Sequence, residues 1–97
     1  GLDQKKAQLN LKVEMALNQW QTVSEQIAIQ QRTVNDYNSL LNGERSLFES
    51  GESSLFMVNS REMSYIQSQL KLNELISKRF QSEIKVNHAL GILNNTL

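Results

Sequence analysis

The sequence has no proline and no cysteine, and it has only four glycines and six aromatic residues among its 97 residues. The absence of cysteine excludes a disulfide scaffold and any cysteine-based metal or thiol site. At average usage, a chain of this length would have about five prolines. Because proline breaks helix interiors, its absence is typical of a chain built from very long helices.

The charges and the hydropathy pattern also exclude several classes of protein. Ten basic and ten acidic residues balance, and no basic block is present, so no nucleic-acid partner is expected. The longest apolar run covers residues 55–58, far short of the ~20 residues of a membrane helix. We therefore expect no membrane insertion by this segment. The chain has no signal peptide and begins with Gly1, so we expect a segment cut from a longer protein.

Residues that could carry out catalysis or bind a metal are few and isolated. The single histidine, His88, follows Glu83 by five positions, whereas helical metal sites use Glu-x-x-His pairs. Phosphate-binding and zinc-protease motifs do not occur. Ser53 and Ser54 have no neighbouring histidine in the sequence and are expected to cap a helix. The sequence predicts no catalytic residue, no metal site and no cofactor, and we expect a protein that is not an enzyme.

Twenty glutamine and asparagine residues are interleaved with apolar residues at regular spacing. In the first half, alternate steps of four and three residues meet apolar side chains at ten of twelve positions. This spacing predicts a coiled-coil helix, with an ordinary amphipathic helix of a bundle as the alternative. The track runs through Leu9, Val13, Ala16, Trp20, Val23, Ile27, Gln30, Val34, Tyr37, Leu41, Glu44 and Phe48.

The second half carries two adjacent tracks of the same period, and neither is fully apolar. Together they form a wide face, so we expect the second helix to contact neighbours on both sides. The first track runs through Phe56, Asn59, Met63, Ile66, Leu70, Asn73, Ser77, Phe80, Ile84 and Asn87. The second runs through Leu55, Val58, Glu62, Tyr65, Gln69, Leu72, Ile76, Arg79, Glu83, Val86, Leu90 and Leu93.

A turn is predicted at residues 50–54. Gly51 can close the first helix in the left-handed conformation, and Ser53 or Ser54 can cap the second. Antiparallel pairing about this turn places apolar positions opposite apolar ones and polar positions opposite polar ones. A turn at Gly43 would instead place Val23 opposite Glu62 and leave Gly51 inside a helix. Gly43 is therefore expected inside the first helix. The predicted pairs are Phe48 with Phe56, Leu41 with Met63, Tyr37 with Ile66, Val34 with Leu70, Val23 with Phe80, Trp20 with Ile84, Gln30 with Asn73 and Glu44 with Asn59.

The predicted fold is all-α, a long antiparallel two-helix coiled-coil hairpin. It comprises a first helix over residues 1–49, a turn over 50–54, a second helix over 55–93 and a tail over 94–97. Trp20 and Phe80 are expected in the core. Asn59, Asn73 and Asn87 share one heptad position, and they either fix the register of the coiled coil or lie solvated at its rim.

The turn carries the most unusual predicted surface. Glu44, Arg45, Glu49 and Glu52 surround it. Glu49 lies at a helix C-terminus, where the helix dipole disfavours negative charge. Either Glu49 is placed there for contact with a partner, or Arg45 one turn earlier offsets its charge.

Residues 48–62, from Phe48 through Gly51 to Glu62, resemble the periplasmic hairpin of TolC-type outer-membrane efflux proteins. That family shows an aromatic residue, two further residues, a glycine, a polar pair and a Leu/Val-rich helix start. About forty residues later it has an Ala-Leu-Gly sequence, matched here by residues 89–91. The resemblance covers nearly the whole chain and is best over residues 37–93.

The resemblance implies a fragment of a larger helical tunnel in a homotrimeric channel of the Gram-negative outer membrane. This segment would be its periplasmic portion. The tip of the hairpin would dock a periplasmic adaptor (membrane fusion) protein, and the adaptor would link the channel indirectly to an inner-membrane transporter. The alternative is a structural coiled-coil spacer or oligomerisation module unrelated to transport.

The resemblance assigns the family's tip aromatic to Phe48 and its tip glycine to Gly51. Well-known members have a tyrosine at the first position and an arginine two residues after the glycine, and both join a polar network that closes the tunnel. Phe48 has no hydroxyl and Ser53 replaces the arginine, so the resemblance implies docking without that network. The candidate adaptor-binding residues are Phe48, Glu49, Gly51, Glu52, Ser53, Ser54 and Leu55.

Overall fold

A computed structural model describes residues 1–96 of the chain and consists of two α-helices. Helix α1 spans Leu2–Glu49 and helix α2 spans Leu55–Thr96. No strand occurs within the described residues, and the predicted all-α helical hairpin is confirmed. Helix α2 continues through Thr96, so residues 94–96 of the predicted tail belong to the helix. The last position of that tail, Leu97, lies outside the described residues.

Both helices are unusually long because nothing in the sequence interrupts them. Gly43 lies inside α1, as expected, although a glycine in a helix interior costs about 1 kcal/mol relative to alanine. Among residues 1–96, neither helix combines the length and the apolar character needed to cross a membrane.

The chain divides into two compact units, each of which contains part of both helices. The turn unit comprises Ile27–Glu74, and the terminal unit comprises Gly1–Gln26 with Leu75–Leu97. In the turn unit, the buried apolar residues are Ile27, Leu41 and Val58. In the terminal unit, they are Ala16, Val23, Leu75 and Ala89. Each core is therefore a narrow seam between two helical segments.

The buried face of α1 is the face that the sequence predicts. Ten of the twelve track positions are buried or half-buried, and only Trp20 and Phe48 are more open. The row includes two polar residues, Gln30 and Glu44, that interrupt its apolar spacing. The 3.5-residue period thus identified the contact face of the first helix correctly.

The buried face of α2 differs from both predicted tracks. All ten members of the first track are exposed, with Phe56 as open as 78%. The second track is right at seven of its twelve positions. It misses the seam residues that lie one position earlier in the sequence, such as Ser68, Leu75 and Ser82. The buried and half-buried residues of α2 are Val58, Arg61, Glu62, Ser64, Tyr65, Ser68 and Leu72 in the turn unit, and Leu75, Arg79, Ser82, Val86, Ala89 and Leu93 in the terminal unit.

The seam of α2 differs because it uses small and polar residues where a hydrophobic pattern expects large apolar ones. Ser68 and Ser82 are buried, and each hydroxyl donates to a carbonyl of its own helix, at 2.7 Å to Tyr65 and 3.1 Å to Lys78. Such bonds satisfy a buried hydroxyl without a partner from the facing helix. Many of the large apolar side chains of α2, including both phenylalanines, are left outside the seam.

The predicted core positions of Trp20 and Phe80 are wrong. Phe80 is 62% exposed, since it belongs to the outward-facing track of α2. Trp20 is 37% exposed and lies at the edge of the seam, where its indole N–H donates to a carboxylate oxygen of Glu83 at 2.9 Å. At this edge the ring keeps one side in contact with the helices while its N–H is satisfied by the carboxylate.

The predicted polar pairings are also replaced by others. Gln30 does not face Asn73, but donates from its side-chain amide to the backbone carbonyl of Ser68 at 3.0 Å. Asn59, Asn73 and Asn87 are all exposed. Of the two interpretations of these asparagines, the structure supports solvated positions at the rim.

Candidate docking turn

Helix α1 ends in a hydrogen-bonded motif centred on Gly51, whose φ is +80°. The backbone N–H of Gly51 donates to the carbonyl of Phe48 at 3.1 Å, and that of Glu52 to the carbonyl of Leu47 at 2.8 Å. This pair of bonds is the Schellman motif, which satisfies the last carbonyls of a helix and favours glycine in the left-handed position. The turn therefore has one defined conformation at its start.

Helix α2 begins with a serine cap. The Ser54 hydroxyl accepts a hydrogen bond from the backbone N–H of Met57 at 3.2 Å. The Ser54 carbonyl accepts from the N–H of Val58 at 3.1 Å, which starts the helical ladder. Of the two predicted capping candidates, Ser54 is the cap, since a side-chain oxygen at the N-cap satisfies an N–H that has no partner within the helix.

Ser53 has a different partner, the carboxylate of Glu44. The Ser53 hydroxyl donates to Oε2 of Glu44 at 2.7 Å. The other oxygen of the same carboxylate, Oε1, accepts a hydrogen bond and ion pair from Nε of Arg61 at 3.3 Å. Glu44 is only 8% exposed. One buried carboxylate thus connects α1, the turn and α2.

This cluster corrects the predicted pairing of Glu44 with Asn59, which is exposed. Sequence reasoning placed Glu44 near the turn but did not include it or Arg61 among the site residues. A signal for Glu44 was available, because a carboxylate interrupts the apolar row of α1 one heptad before the turn. Arg61 had no such signal, since it is one of ten basic residues without distinctive spacing.

The turn brings the predicted site residues together and leaves most of them open. Ser53 is half-buried by its bond to Glu44. The other six residues are exposed, namely Phe48, Glu49, Gly51, Glu52, Ser54 and Leu55. The turn therefore presents aromatic and aliphatic side chains beside the two carboxylates of Glu49 and Glu52.

Glu49 and Glu52, the exposed acidic residues of the turn, take part in no ion pair within residues 1–96, whereas the buried Glu44 pairs with Arg61. Among the ion pairs of residues 1–96, none joins Arg45 to Glu49. The turn unit contains four basic and six acidic residues, whereas the terminal unit contains six basic and four acidic. The chain is neutral overall, but the unit that carries the turn has an acidic surplus.

In the described part of the chain, no group of three or more histidine, cysteine, aspartate or glutamate side chains is placed to hold a metal ion. His88 lies in the terminal unit on an open groove of about 550 Å³, with Leu9, Met15 and two lysines, Lys12 and Lys85, among its other lining residues.

Two long helices joined by an ordered, exposed turn form a helical hairpin. A model of the outer membrane efflux protein family matches residues 1–92. The chain belongs to this family, which consists of transport channels. No curated protein and no solved structure gives a significant match to the chain.

Proposed function

We propose that this hairpin is a periplasmic part of a trimeric outer-membrane efflux channel, and that its turn docks a periplasmic adaptor protein. The adaptor would connect the channel to an inner-membrane transporter, and exported compounds would pass through the channel without chemical change. Membership of the efflux family supports the channel role. The docking role depends on the turn, which is ordered by its own hydrogen bonds while its apolar and acidic side chains remain exposed.

A turn that is already ordered favours docking, because a flexible loop would lose conformational entropy when it binds. The Schellman motif orders the end of α1 and the Ser54 cap orders the start of α2 before any partner arrives. Phe48 and Leu55 then provide apolar contact area, and Glu49 and Glu52 provide charge. The complementary surface on the adaptor is one with apolar side chains and a basic rim, since unlike charges steer association and select partners.

The outward-facing track of α2 supports assembly with neighbouring helices. In the turn unit it places Phe56, Met63, Ile66 and Leu70 at heptad spacing, all exposed. A regular apolar row on an exposed helix face marks an interaction surface, and heptad spacing is suited to another helix. In the full-length trimer, this row would pack against adjacent hairpins of the tunnel wall.

The docking proposal is tested by two substitutions in the full-length channel. Glu52→Lys reverses one charge on the turn, and Gly51→Leu places a bulky side chain where φ is +80°, which side chains other than glycine rarely adopt. Each variant is expressed in cells that lack the chromosomal copy. Both are expected to lower resistance to a compound whose toxicity rises when the channel is deleted, while the trimer still forms in the outer membrane.

The control is Glu14→Lys, the same charge reversal at an exposed position in the terminal unit. It is expected to leave resistance unchanged. Wild-type resistance in both turn variants would refute docking by the turn. A loss of trimer in the outer membrane would instead show that the turn acts in assembly.

A further inference from the structure

Glu44 occupies a position where the sequence pattern of α1 calls for an apolar residue. It lies on the buried row of the helix, and Leu41 on the same row is 2% exposed. A carboxylate in such a place is costly unless hydrogen bonds and an opposite charge compensate. Leucine would suit a helix–helix seam better. The presence of Glu44 therefore calls for a reason other than packing.

The partners of Glu44 suggest that reason, because they belong to two different elements. Ser53 lies in the turn, and Arg61 lies in the second turn of α2. Gln30, two heptads earlier at the same heptad position, also breaks the apolar row. It bonds the α2 backbone at Ser68 and has no bond to the turn. Glu44 differs from Gln30 in that it holds the turn itself.

The other bonds of the turn do not provide this link. The Schellman bonds of Gly51 and Glu52 end on the last residues of α1. The Ser54 cap bonds only the first residues of α2. Each set completes its own helix end, whereas the carboxylate of Glu44 connects the turn to both helices at once.

We infer that Glu44 is a positioning residue that fixes the orientation of the docking turn by holding Ser53 and Arg61 together. This inference rests on the proposed docking function. A turn held at both sides keeps the exposed side chains of Phe48, Glu52 and Leu55 in one arrangement. Loss of the carboxylate leaves the helices paired but frees the turn to move.

The decisive variant is Glu44→Leu in the full-length channel. Leucine completes the apolar row, and the Arg61 side chain, which is 37% exposed, can turn to water when its partner is removed. No buried unpaired charge is then left, so the thermal stability of the trimer is expected to stay the same or rise. Hydrogen–deuterium exchange is then followed in peptides that cover the turn. Because a bond to a charged group is removed, exchange at the amides of Gly51 and Glu52 is expected to increase about tenfold or more. Resistance to the test compound is expected to fall.

The matched control is Gln30→Leu, which makes the same polar-to-leucine change at the same heptad position. It is expected to leave both the exchange of the turn and the resistance unchanged. Ser53→Ala is expected to reproduce the faster exchange of Glu44→Leu, and Ser53→Thr, which keeps the hydroxyl, is expected to restore slow exchange. A role of Glu44 confined to helix pairing would not produce this pattern.

The outcomes separate the inference from the function on which it rests. Unchanged turn exchange in Glu44→Leu, or equal increases in Glu44→Leu and Gln30→Leu, would overturn the positioning role. Faster turn exchange with normal resistance would support the positioning role and contradict docking by the turn. Faster turn exchange together with reduced resistance, with slow exchange restored in Ser53→Thr, would support both the positioning role and docking by the turn.

Discussion

Two adjacent leucines in α1 offer a direct test of the seam. Leu41 is 2% exposed and Leu40 is 46% exposed. Full burial of a leucine side chain contributes about 1.5–3 kcal/mol, and the cavity left by Leu41→Ala adds to the loss. We therefore expect Leu41→Ala to lower the free energy of unfolding by about 3 kcal/mol. Leu40→Ala is expected to lower it by about 0.5 kcal/mol.

The comparison isolates burial because the two changes are otherwise identical. Both replace leucine by alanine in the same helix interior, so the difference in helix propensity cancels. The measurement is urea unfolding of the chain followed by far-ultraviolet circular dichroism, with equal denaturant slopes as a condition for comparison. Equal losses for the two variants, or a larger loss for Leu40→Ala, would refute the assignment of the seam on α1.

Three further predictions concern α2, a helix interior and the tryptophan. Leu75→Ala is expected to cost about 2–3 kcal/mol and Phe80→Ala about 0.5 kcal/mol in the same urea experiment; the reverse order would restore the core position predicted for Phe80 from the sequence. Gly43→Ala is expected to raise stability by about 1 kcal/mol, because an added Cβ meets no atom within 4 Å, and a higher midpoint of thermal unfolding would show it. Glu83→Ala is expected to cost about 1 kcal/mol and to shift the fluorescence of Trp20, the sole tryptophan; an unchanged emission spectrum would argue against the bond between them.

The first helix was predictable because its sequence carries one apolar stripe. Interruptions at Gln30 and Glu44 did not obscure the period, since the positions around them kept the spacing. The turn was predictable for a similar reason. A left-handed residue at Gly51 divides the chain into two helices that nothing else interrupts. Ser54, three residues later, is placed to cap the second helix.

The contact face of the second helix was not predictable from apolar spacing. Several of its large apolar residues, such as Phe56 and Phe80, lie outside the seam, and small residues such as Ser68 and Ser82 lie within it. A pattern search weights residues by hydrophobicity and therefore selects the outer row. Buried serines that bond their own helix backbone leave no hydrophobic signal, although they are well suited to a close approach of two helices.

The contact between Glu44, Ser53 and Arg61 was not predictable for a different reason. It depends on the conformation of the turn, which determines that Ser53 faces α1 while Ser54 caps α2. Both serines are suitable caps from the sequence alone, and a shift of one residue exchanges their roles. Sequence spacing could place Glu44 near the turn, but only the three-dimensional path of the chain shows which hydroxyl it binds.

The outward row of α2 has a consequence for how the cell handles this protein. A newly made copy that has not met its neighbours presents phenylalanine and aliphatic side chains to water along that row. Exposed surface of this kind is prone to aggregation, and chaperones and proteases act on such unassembled chains. On the proposed packing of this row against neighbouring helices, the abundance of the protein should therefore follow the number of completed assemblies rather than the rate of synthesis.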